Sequence, residues 1–177
     1  IGYLLLGISL GTLEGLQASF LYLIIYMINT INIWTIIISI EYIQNKKKIK
    51  YISDLNYLYK VNPVIAIIFA ISLFSMAGIP PLAGFFAKFY IFFAVLENSS
   101  FLLLFIGLLT SVISTFYYIR IIKVIYFESK KYHFYYKQIN YKSSFILSFT
   151  ILFIVFFISF LNFFLNLTNF LSLNIIN

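Results

Sequence analysis

The sequence predicts an all-α integral membrane protein, a multi-helix transmembrane bundle with one discontinuous helix. Three observations carry that expectation. Hydrophobic residues make up 63% of the 177-residue chain and charged residues only 10%, against roughly 25% charged in soluble domains. The apolar residues gather in stretches, most of them at or beyond the roughly 20 residues a membrane helix needs. No strand alternation competes with the helical pattern.

The elements follow in chain order, as one membrane domain. Residues 1–11 are apolar but too short to span, so they read as a partial helix. The chain opens on Ile1 rather than Met, which predicts a trimmed chain or an unusual start codon. A partial helix cannot satisfy a bilayer alone, so it is expected to pack on, or continue from, another polypeptide. Residues 17–43 form the next crossing. Residues 63–97 are apolar but interrupted near 78–84 by Gly78, Pro80, Pro81 and Gly84. Residues 101–127 and 144–167 complete the set, and a polar, Asn-rich tail follows. Two basic loops separate them. Loop 44–62 carries Lys46, Lys47, Lys48, Lys50 and Lys60; loop 128–143 carries Lys130, Lys131, His133, Lys137 and Lys142.

Those loops decide the topology. Basic residues in short loops mark the cytoplasmic side, or the matrix side of a mitochondrion. If 63–97 crossed twice, the two basic loops would face opposite sides. If it crosses once, both face the same side, so charge favours one broken crossing. A continuous helix of about 35 residues would be near 52 Å long, beyond the hydrocarbon thickness. Unwinding at Ile79, Pro80 and Pro81, with tilt, resolves the excess, because proline removes amide donors and breaks the helix ladder. Irregular backbone is tolerated at membrane depth where protein or water covers it.

Lys88 is the residue that asks for a function. No other charge lies between Lys60 and Glu97. An ionisable residue inside a membrane segment is by default a functional-site hypothesis. A broken helix offers it two opposite environments. The carbonyl end of the first half attracts a cation or orders water; the amide end of the second half favours loss of a proton. The bland alternative is a lysine that snorkels to an interface.

Other polar residues carry weaker signals. Glu97, at the far end of the broken helix, reads as an exit-side proton acceptor or as a wet helix end. Arg120 and Lys123 follow Tyr117 and Tyr118; proton entry and interfacial snorkelling both explain them. Glu14 reads as an interfacial acid in a short loop, and Glu41 as a partner of nearby lysines. Asn29, Thr30 and Asn32 face either a hydrated interior or another helix. Ser111, Ser114 and Thr115 hydrogen-bond across helices, hold water or simply cement packing. His133 is the only histidine and builds no metal site alone. Cysteine is absent, which excludes disulfides and cysteine-held clusters. No phosphate-cradling loop, catalytic carboxylate pair or nucleophile triad appears. The abundance of Ile, Phe, Tyr, Asn and Lys fits A+T-rich codons, as in an organellar genome. The net charge of +7 belongs to the loops and reads as topology, not nucleic-acid binding.

The run SMAGIPPLAGFFAKFY, from Ser75 to Tyr90, closely resembles a stretch of NADH dehydrogenase subunit 2, an antiporter-like membrane subunit of respiratory complex I. Ser111 to Arg120 resembles that family's next helix, and Ile1 to Gly7 the second half of an earlier one. The resemblance implies that this chain holds the end of the tenth helix through the fourteenth. It implies that the helix carrying Lys88 is a single discontinuous crossing. It also implies that Lys88 is a proton relay on a buried polar axis. Read from the residues themselves, Pro80, Pro81, Gly84, Glu97 and Arg120 are further candidates for the break or path. The family's earlier acid and two lysines are absent from these residues, so the path here is incomplete. The implied partners are a chain carrying the N-terminal half, other complex I membrane subunits and lipid. No cofactor or metal is expected on this chain; NADH, FMN, iron–sulfur clusters and ubiquinone belong elsewhere in the complex. The implied location is the mitochondrial inner membrane, with the basic loops in the matrix. Related cation/proton antiporter subunits, and a non-pumping structural remnant, are the alternatives.

Overall fold

A computed structural model describes residues 1–40, 51–56, 58–128 and 140–176. The central element is α2, Leu13–Ser39, a 27-residue helix. Thr12 caps its start by accepting the Gly15 amide at 3.2 Å, satisfying one of the free amides at the helix end. A short helix α1, Gly2–Ser9, precedes it. Further along come a 3-10 turn, Ile52–Leu55, and a single helical turn α3, Leu58–Val61. Next come α4, Pro63–Ala77, and α5, Ala83–Glu97. The long helices α6, Phe101–Phe127, and α7, Tyr141–Ile176, complete the chain.

Helix α4 starts where Asn62 accepts the Ile65 amide and Pro63 takes the first helical position, a place where its missing amide does no harm. It then runs back along the second half of α2: Ile65, Ala66, Phe69 and Leu73 share a core with Ile36 and Ile40. Helix α5 continues along the first half of α2: Ala83, Ala87, Ile91 and Ala94 pack with Ala18, Leu21 and Ile25. Asn98, just past α5, donates to Thr12 at the start of α2 at 3.3 Å. The two 15-residue helices are each about 22 Å long. Neither spans a bilayer alone, and together they make one broken crossing antiparallel to α2.

Helix α7 is also antiparallel to α2. Gln17 donates to the Leu165 carbonyl at 3.1 Å, and Asn32 to Thr150 Oγ1 at 2.7 Å. Helix α6 lies against the broken crossing, with Gly107 beside Phe92 and Ile125 in the α4 core. Three helices, α2, α6 and α7, are each long and apolar enough to cross a membrane.

The flanks of both basic loops meet at one end of the bundle. Ile40, Leu55, Leu58, Ile125 and Leu147 belong to one buried cluster. Lys46, Lys47, Lys48, Lys50, Glu41, Lys130, Lys131, His133 and Lys137 lie outside the described residues.

Two helix ends differ from the sequence reading. Helix α2 begins at Leu13, so Glu14 sits in its first turn and not in a loop. Helix α7 starts at Tyr141 and runs to Ile176, well past the expected end at 167. Polar residues of the tail are absorbed into the helix. Thr168 and Ser172 turn their hydroxyls onto carbonyls three residues back, at 3.0 and 2.8 Å, which takes those hydroxyls off the apolar surface.

Candidate functional site

The break in the crossing is a lateral overlap of two helix ends. Helix α4 stops because Gly78 adopts φ +89°, a left-handed conformation that a side chain resists. Pro80 and Pro81, joined by a cis peptide bond, form the exposed connection. Helix α5 then begins beside the last turn of α4. The Gly84 amide donates to Ser75 Oγ at 3.1 Å, supplying the cap that Leu82 does not. A Cβ on Gly84 would collide with the Ser75 carbonyl. Glycine is therefore what lets the two half-helices touch.

Lys88 points back across this break. Its ammonium nitrogen donates to the carbonyl of Ala77 at 2.9 Å and lies 5.5 Å from the centre of the Tyr3 ring. Ala77 is the last residue of α4, so its carbonyl belongs to the negative end of the helix dipole. Thr115 on α6 donates to the same oxygen at 3.3 Å and to its own Ser111 carbonyl at 2.9 Å. Of the two environments the break offers, Lys88 takes the carbonyl end. Gly78 also leaves room for it, since a Cβ there would sit 3.1 Å from Lys88 Cδ.

A cavity of about 490 Å³ opens beside Lys88. Its polar lining comes from α1, α2, α4 and α6: Tyr3, Asn29, Ser75, Thr110, Ser114 and Tyr118. Tyr22 and Tyr26 add a wall, their rings stacked 5.8 Å apart.

The remaining predicted residues are not gathered here. Glu97 lies at the other end of α5, about 13 Å along the helix axis from Lys88, within hydrogen-bonding reach of Glu14. These two carboxyl groups line a smaller pocket with Gln17 and Tyr90. Arg120 is exposed on α6 and does not line the cavity. Pro80 and Pro81 are exposed, whereas Gly84 is buried and lines the cavity. Among the described residues no group of acids or histidines is arranged to hold a metal.

Residues 1–114, which include the whole break, match the family described as NADH:quinone oxidoreductase/Mrp antiporter, TM. The chain belongs to this family. It is similar to the NADH-ubiquinone oxidoreductase chain 2 of Marchantia polymorpha, at 46% identity over 86% of this chain and 30% of that one. It is likewise 46% identical to the NADH-quinone oxidoreductase subunit N of Pelagibacter ubique, over 74% of this chain and 27% of the relative. The fold resembles that of a chain in the respiratory complex I of Thermus thermophilus with bound aureothin. That match has a TM-score of 0.71 and 21% identity, over 86% of this chain and 33% of that chain. The chain thus spans about 30% of the length of the curated relatives it matches.

Within this antiporter-family bundle, two polar residues singled out by the sequence do bond across helices. Asn32 donates to Thr150 and accepts from Ser72 at 3.1 Å, and Thr115 reaches Ala77. The tyrosine wall is the feature sequence reasoning passed over, although the spacing of Tyr22 and Tyr26, one helical turn apart, was an available signal.

Proposed function

We propose that the chain is part of a proton-translocating membrane subunit of NADH:ubiquinone oxidoreductase, in which Lys88 relays protons. The observation that carries this reading is the 2.9 Å bond from Lys88 to the Ala77 carbonyl at the broken end of α4, beside a cavity with polar groups in its wall. A lysine in hydrocarbon is unfavourable by about 3 kcal/mol or more. Here a helix-end carbonyl and an aromatic face replace water around the ammonium. A group so placed is solvated by protein at membrane depth and still has donors free for exchange. Electrons move elsewhere in such a complex, and no redox cofactor is assigned to these residues. Its partners are the rest of the subunit, neighbouring membrane subunits and lipid. The location is the mitochondrial inner membrane with both basic loops in the matrix.

Lys88→Met in the assembled complex tests this directly. The expected result is an unchanged amount of complex and a drop of about 100-fold in NADH-driven proton pumping. Full pumping by an assembled Lys88→Met complex rejects the relay and leaves a structural role. The family description also names Mrp antiporters, so cation/proton exchange without electron transfer is the second reading. Co-purification of this chain with flavin and iron–sulfur proteins separates the two in favour of the first.

A further inference from the structure

Two asparagines lie one turn apart on α2, and their amides end differently. Asn32, fully buried, uses both ends of its amide: it donates to Thr150 and accepts from Ser72. Asn29 is 1% exposed and donates to the Ile25 carbonyl at 3.1 Å. Its Oδ1 has no hydrogen-bond partner among the described residues. The Ile25 carbonyl fixes which end of the Asn29 amide is nitrogen, because a carbonyl can only accept. The unmet atom is therefore an acceptor.

Asn29 is one of the residues lining the cavity that holds Lys88. Buried amide oxygens rarely stay unpaired. The chamber's volume of about 490 Å³ far exceeds the roughly 15 Å³ that one water requires. Its hydroxyls and phenols supply the further partners a bound water needs. Two of the lining hydroxyls are already committed: Thr110 donates to Gly107 and Ser114 to Thr110, both along their own helix. What Asn29 lacks is a donor, and water both fits the space and donates.

We propose that Asn29 Oδ1 anchors a bound water in this chamber, and that the water it positions exchanges protons with Lys88. In that exchange an Nζ–H bond breaks as an O–H bond forms on water, which releases a different proton onward. Asn29 gains and loses no proton; it is a positioning residue. The water's presence stands independently, whereas its part in proton movement rests on the reading of Lys88 given above.

The test has two arms on the intact complex. The first is a water-resolving cryo-EM map of the unmodified complex. Density within about 3.2 Å of Asn29 Oδ1, assigned as solvent, is the expected result. A protein donor or a lipid group at that position overturns the proposal. The second arm compares NADH-driven pumping in Asn29→Leu, Asn29→Ser and Lys88→Met. Leucine keeps the volume and removes the acceptor. Serine donates to the Ile25 carbonyl, as Ser72 does to Ile68, and still accepts. Pumping should fall several-fold in Asn29→Leu and recover largely in Asn29→Ser. If Lys88→Met abolishes pumping while Asn29→Leu pumps fully, the positioning role is wrong. If Lys88→Met is harmless, the relay fails instead, and the map alone judges the water. Should Asn29→Leu not assemble, reduced pumping in Asn29→Ser, together with no solvent density in the map, counts against the proposal.

Discussion

The ammonium of Lys88 and the carbonyl of Ala77 are bonded at 2.9 Å across a break in the helix, eleven positions apart in sequence. The lysine charge thereby closes one helix end while standing on the other.

Gly78→Ala should destabilise the break. Its φ of +89° disfavours any side chain, at about 1–2 kcal/mol. The added Cβ would also press on Lys88 Cδ at 3.1 Å. A lower thermal midpoint for release of this chain from the purified complex is the expected outcome. An unchanged midpoint would show that Gly78 need not hold its left-handed turn.

Gly84→Ala should be the more damaging of the two. Here the new methyl meets the Ser75 backbone, which cannot swing aside as a lysine side chain can. The half-helices would have to separate, and the amide bond to Ser75 Oγ would be lost. Complex content in membranes, measured by native gel, should fall further than with Gly78→Ala. The reverse ranking contradicts the overlap as described.

Thr115→Val and Lys88→Met should be non-additive in stability. Each side chain donates to Ala77 O, so either alone still leaves that oxygen a partner. Removing both leaves a buried carbonyl unpaired, which costs about 1–3 kcal/mol. A double-mutant cycle on thermal unfolding should show that coupling. Simple addition of the two effects means that the shared acceptor is not real.

Asn32→Leu should be mild. It removes the α2 end of the three-helix brace, but Ser72 and Thr150 keep their own bonds to Ile68 and Ile146. Bonds between membrane helices are worth about 0.6 kcal/mol on average. A midpoint shift of a few degrees or less is expected, with pumping retained. A severe pumping defect in an assembled Asn32→Leu complex would mean the brace does more than hold helices.

Much of this was legible because charge is scarce in the chain. Lys88 stood alone in an apolar run, and the loop lysines made two crossings of 63–97 costly to reconcile. The packing of α4 and α5 along one helix agrees with that inference. The direction Lys88 takes was not legible, because a helix break presents opposite dipole ends within a few residues. Nor was the difference between Asn29 and Asn32, which lie one turn apart and differ only in what faces them. Arg120 reads as a possible path residue because it follows two tyrosines in an apolar run; in the fold it is exposed and outside the chamber's lining. The end of α7 lies beyond the apolar run because hydroxyls can fold onto their own helix, so polar composition there does not mark a loop.

That same habit shapes the chamber. Thr110, Ser114 and Asn29 each commit their hydrogens to their own helix. Their oxygens keep lone pairs turned toward the space they line. Without a carboxylate among its polar residues, the chamber has an electronegative lining assembled from neutral side chains. It thus places acceptors around Lys88 with no fixed counter-ion among the lining residues.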